Sequence, residues 1–167
     1  MILLGILAAS GAGVTGGVAG YIAGGETSGG GRSSSVDKFA FPSDSRSTLG
    51  TGLSATKSYG VAGMANSAVA GYAGGGWVGG TSSTVDKFAF PSDSRTTLGT
   101  GLSAATSFSS GMADSGVAGY FGGGATTASS EVSTVDKFAF PSDSRTTLGT
   151  GLSSVRAFTS GFANEVV

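Results

Sequence analysis

Four charged positions recur in this chain at fixed spacing: Asp37, Lys38, Asp44 and Arg46, then Asp86, Lys87, Asp93 and Arg95, then Asp136, Lys137, Asp143 and Arg145. Carboxylates set beside ammonium and guanidinium groups can hold a cation, move a proton, or tie the backbone and its neighbours together. The repetition decides among these. An active site is ordinarily one asymmetric constellation, whereas these are three neutral copies of one set, so the expected role is structural. On this reading the turn aspartate caps backbone N–H groups and pairs with the nearby arginine. Each Ser-Asp-Ser turn carries one carboxylate, far short of the six to eight oxygens that Ca2+ takes, so no metal site is expected. The glycine clusters Gly29 to Gly31, Gly74 to Gly76 and Gly122 to Gly124 are not followed by Lys-Ser or Lys-Thr, which rules out phosphate loops. Conformational need, meaning positive φ or close backbone approach, accounts for them.

What the chain lacks narrows the chemistry further. It contains no histidine and no cysteine, so an imidazole base, a Ser-His-Asp triad, a thiolate nucleophile and His- or Cys-ligated metals are all excluded. No catalytic residue and no cofactor is expected. The net charge is −1 with scattered basic residues, which gives no electrostatic footprint for nucleic acid or an anionic membrane. The apolar opening MILLGILAAS is too short to span a bilayer and has no Lys or Arg ahead of it, as a signal peptide would. Membrane insertion is not expected. Ile2 to Val14 are expected instead to fill the place that Ser54 to Ala65 take in the following unit.

These residues are carried by a repeat. VDKFAFPSDSRSTLGTGL runs from Val36 to Leu53 and returns, with Thr for one Ser, at Val85 to Leu102 and Val135 to Leu152. A companion phrase travels with it as GYIAGG from Gly20, GYAGGG from Gly71 and GYFGGG from Gly119. A period of about 50 residues is the size of a propeller blade. Thirty-two glycines and three prolines, with abundant Ser and Thr, point to short strands and turns and away from helix. In the unit from Gly101 to Thr150, strands are expected over Ser107 to Ala113, Val117 to Gly122, Thr134 to Phe140 and Thr146 to Leu148. Pro141 to Ser144 form the turn. Phe108 stands where Tyr59 and Phe158 stand in the other copies. Val117 and Phe121 are placed on one face, and Phe138 and Phe140 on one face with Ala139 opposite. The chain divides into units of approximately 1–52, 53–101 and 102–152, with 153–167 a terminal strand segment that completes a neighbouring blade. The loops Glu26 to Ser35, Trp77 to Thr84 and Ala125 to Thr134 differ among the units, as expected of a rim free to vary.

The Tyr and Gly pair closing a strand, the variable loop, the Val-x-x-Phe strand ending near Pro and the Leu-x-x-x-Leu stretch together resemble the kelch repeat of β-propellers. The tryptophan that usually follows the kelch turn has no counterpart, and Arg46, Arg95 and Arg145 precede Thr-Leu instead. The uniform wording is also similar to repeat proteins of marine bacteriophage genomes, which look like tail-fibre or virion-surface components. Galactose-oxidase-like kelch enzymes use copper held by His, Tyr and Cys, which this chain cannot supply. The resemblance implies an all-β fold of kelch-like propeller blades, each of four antiparallel strands. Propellers have 4 to 8 blades, so about three repeats per chain leave a ring or fibre to be completed by other chains. Otherwise Phe39, Phe41, Phe88, Phe90, Phe138 and Phe140 would flank open blade faces. The expected protein is therefore a non-enzymatic structural repeat protein, self-associating, in an extracellular or virion assembly. Its rim loops, with Trp77 and Glu131, form a candidate binding surface. A carbohydrate-binding propeller lectin that takes a cell-surface glycan, and a self-assembling extracellular filament subunit, are the alternatives.

Overall fold

The computed structural model describes residues 19–41, 43–126 and 130–164. They form eleven strands and no helix: β1 Ala19–Ala23, β2 Val36–Ala40, β3 Ser45–Thr48, β4 Val61–Asn66, β5 Ala70–Gly75, β6 Val85–Ala89, β7 Ser94–Thr97, β8 Ser110–Asp114, β9 Ala118–Gly122, β10 Val135–Ala139 and β11 Ser144–Thr147. Each strand pairs antiparallel with its chain neighbour. The result is one three-stranded sheet, β1-β2-β3, and two four-stranded sheets, β4 to β7 and β8 to β11. The sheets do not close on one another among the described residues.

The VDKFA strand is central in both four-stranded sheets, and both of its faces are covered. In β10, Val135, Asp136 and Phe138 are all buried, and β6 has the same pattern. The glycine of the GY phrase stands opposite the strand phenylalanine of VDKF, and the phenylalanine of the AFP sequence packs over it. The rings of Phe41, Phe90 and Phe140 lie over Gly20, Gly71 and Gly119, where a Cβ would be about 3 Å from the ring. One core cluster joins the second and third sheets through Met64, Tyr72, Phe121, Phe138 and Phe140. A second joins the first and second sheets through Val36, Leu53, Ala73 and Phe88. Phe138 and Phe140 do share a buried face.

Three expectations need correction. The first strand of the third sheet starts at Ser110 because Phe108 occupies a left-handed bend, at φ 59. The same bend falls on Gly60 and Phe158, so in the second unit the bend lies one residue after Tyr59, while the aromatic recurs at Tyr59, Phe108 and Phe158 as expected. Backbone bonds run down this column, from Phe108 N to Gly60 O and from Phe158 N to Phe108 O. The rings of Tyr59, Phe108 and Phe158 stack beside it. Val117 precedes β9 in a turn and is exposed, so it does not share the buried face of Phe121. The last strand starts at Ser144, because the turn is complete at Asp143.

Sheets stack closely through glycine. A Cβ on Gly111 would run into the carbonyl of Gly63, and one on Gly161 into the carbonyl of Gly111. Backbone cannot move aside as a side-chain tip can, so Gly111→Ala should lower stability by about 1–3 kcal/mol in urea denaturation. Gly149→Ala, with nothing near its Cβ, should change it little.

An inter-sheet clasp as the candidate functional site

Tyr21 and Lys38 stand directly opposite each other on β1 and β2, as Tyr72 and Lys87 do on β5 and β6. Opposed residues in an antiparallel pair share a face, so each pair presents a phenol and an ammonium together. Both reach the turn of the next sheet. Tyr21 Oη donates to Asp93 Oδ1 at 2.7 Å and Lys38 Nζ to Asp93 Oδ2 at 2.6 Å. The second joint repeats this with Tyr72 and Lys87 on Asp143, at 2.7 and 2.6 Å. The tyrosine rings also stack on the phenylalanine before the turn, Tyr21 on Phe90 at 5.0 Å and Tyr72 on Phe140 at 5.4 Å. Asp93 and Asp143 have φ near 56, a left-handed conformation that aspartate tolerates better than most residues.

A second tie lies nearby. Ser54 donates its N–H and its hydroxyl to Asp86 Oδ2, both at 2.9 Å, and Ser103 does the same to Asp136 at 2.7 and 2.9 Å. The other oxygen of each aspartate accepts from Thr97 or Thr147 at 2.7 Å. The arginines belong to this set: Arg46, Arg95 and Arg145 lie 3.3, 3.5 and 3.4 Å from Asp37, Asp86 and Asp136. The expected pairing of Arg46, Arg95 and Arg145 with the turn aspartates Asp44, Asp93 and Asp143 is therefore wrong. Across the two-strand hairpin, arginine is in register with the strand phenylalanine, beside the strand aspartate. Turn capping falls to serine instead, with Ser94 N and Ser144 N donating to Ser92 Oγ and Ser142 Oγ.

Burial, and then the bond to Asp93, raises Tyr21 above the ordinary tyrosine value; burial, and then the bond to Asp143, raises Tyr72. The bond to Asp93 holds Lys38 above the usual lysine range. Lys57 is the exception. It is fully buried, with Nζ 2.8 Å from Gly75 O and 3.4 Å from Thr84 O, and burial lowers its pKa. For the raised groups, the folded chain keeps protons that the unfolded chain loses above pH about 10, so their stabilisation is present below that and fades as pH climbs. Lys57 acts in the opposite sense. Tyr59 is raised too, by its bond to Glu26; with four groups against one, the urea midpoint should fall between pH about 10 and 12, and Tyr21→Phe with Tyr72→Phe should flatten the fall.

The rim loops are closed by bridges between Glu26 and Arg32, Trp77 and Thr81, and Ala125 and Glu131. Trp77 is half-buried and Glu131 exposed, at opposite ends of different hairpins; no hydrogen bond joins them among the described residues. The same residues contain no cluster of acidic, His or Cys groups suited to a metal ion. Between the first and second sheets runs an apolar groove of about 920 Å³ lined by Tyr21, Val36, Val61, Phe88 and Phe90. The segment Ile2 to Val14, expected to supply the missing strand of the first sheet, lies outside the described residues.

Sequence reasoning singled out the turn aspartates and also Lys38 and Lys87, but did not join them across units, and it missed Tyr21, Tyr72, Ser54 and Ser103 as partners. The signal was present: a tyrosine and a lysine keep their places in every copy while the loops change. Comparison with protein-family models and with curated proteins finds no match.

Proposed function

We propose that this chain is a non-enzymatic structural repeat protein of an extracellular or virion assembly, built of kelch-like propeller blades, with its variable rim loops turned to a surface partner. The observation that carries this reading is where the recurring polar residues go. In both joints, Tyr, Lys, Ser and Asp are engaged with the neighbouring sheet, so the repeated chemistry is that of attachment between units. The loops follow one another along one edge. Thr81 Oγ1 donates to Thr126 O at 2.9 Å, and Arg32 lies against Gly79. A row of unlike loops on a like framework suits recognition of a surface.

Antibody against the chain, followed by electron microscopy of particles and secreted material from a producing culture, tests the proposal. Gold label on virions or extracellular fibres is the expected result. Label confined to the cell interior would refute it. Binding on a glycan array that disappears in Trp77→Ala would move the reading to a carbohydrate-binding propeller lectin.

A further inference from the structure

Each tie between consecutive sheets has a donor half and an acceptor half, and the described residues hold one of each left over. Tyr120 and Lys137 face each other across β9 and β10 in the register of the two working pairs. Among the described residues their polar tips have no hydrogen-bond or ion-pair partner. Asp44 sits at φ 55, matching Asp93 and Asp143, so it already has the backbone conformation of the working acceptors, and among the described residues no tyrosine or lysine reaches it. Three further groups agree. Phe41 is 49% exposed where its counterpart Phe140, stacked on Tyr72, is 9% exposed. Ser153 is exposed, whereas Ser54 and Ser103 bind Asp86 and Asp136. Among the described residues Asp37, the acceptor that would match it, uses only Oδ1, for Arg46 and Thr48.

We propose that the chain associates head to tail with copies of itself. Tyr120 and Lys137 of one copy close on Asp44 of the next, with Phe41 stacking on Tyr120 and Ser153 donating to Asp37. The inference rests on the reading of the chain as an assembling structural protein and names the joint. A second copy is the occupant because phenol, ammonium, hydroxyl, ring and two carboxylates are offered in the arrangement that two internal joints already fill. The contact is heterologous, so every copy in a row keeps one free half of each kind and growth continues until a ring closes or a fibre forms.

Sedimentation velocity on the full chain across the micromolar range tests it. The unaltered chain should grow beyond dimers. Asp44→Lys, which destroys the acceptor, and Lys137→Met, which cripples the donor, should each weaken association about ten- to hundredfold, the effect of losing charge-assisted hydrogen bonds. An equimolar mixture of the two should form a complex that stops at one copy of each, because only one wild-type joint can be made. Asp44→Asn, which preserves the tolerance for a left-handed φ, should weaken association while leaving the melting temperature unmoved at concentrations too low for association. If the chain assembles but Asp44→Lys assembles equally well, or the mixture stays monomeric, the joint is overturned and the assembling role stands. If the unaltered chain is a monomer throughout, both fall.

Discussion

Phe138→Ala is expected to destabilise the chain by about 3–5 kcal/mol, the cost of emptying a fully enclosed aromatic site. Phe138 has 0% of its surface exposed and meets the edge of Phe121 at 5.8 Å between centroids. It stands opposite Gly119 on β9, so no neighbouring side chain on that strand can swing in to fill the gap. Phe39 occupies the same place in the repeated phrase, but in the three-stranded sheet it is only half-buried, and its replacement by Ala should cost clearly less. Urea denaturation of both variants gives the comparison. Equal losses would show that the first sheet encloses its aromatic as fully as the third and would contradict the burial described above.

The second large effect is expected at the clasp. Asp143→Asn keeps the size of the side chain and the tolerance for a left-handed φ, yet removes the charge that Lys87 and Tyr72 share. Asp143 is largely shielded, its side chain 18% exposed, so solvent only partly replaces what is lost. A cost of about 1.5–3 kcal/mol follows for hydrogen bonds to a charged group. The same change at Asp44, measured at concentrations too low for self-association, should stay within about 0.5 kcal/mol, as an exposed substitution away from any partner does. The two variants share one turn sequence and differ in whether the neighbouring sheet supplies a phenol and an ammonium. Matching losses at both sites would remove the clasp as a source of stability.

The strands were legible because period-two patterning and turn residues are local properties. VDKFA, the Pro-Ser-Asp turn and the glycine pair each announce their own conformation; Gly75 and Gly76, for example, both take positive φ. The partners of the charged residues were not legible in this way. Arg145 is two strand positions from Thr147 and pairs across the hairpin with the region of Asp136, whereas the turn aspartate two residues before it points away to another unit. Sequence proximity favoured Asp143; register and sheet stacking favoured Asp136. Lys57 was unreadable for a related reason. It stands where Thr106 and Arg156 stand, and its burial depends on the glycine carbonyl and loop that close over it.

The two internal joints share one geometry, and this has a consequence for how such a chain can change length. Recombination between the near-identical phrases at Val85 and Val135 would remove or insert one complete module at a time. Each surviving boundary would still bring a phenol and an ammonium to a carboxylate, so arrays of different module number could arise without any new contact having to evolve.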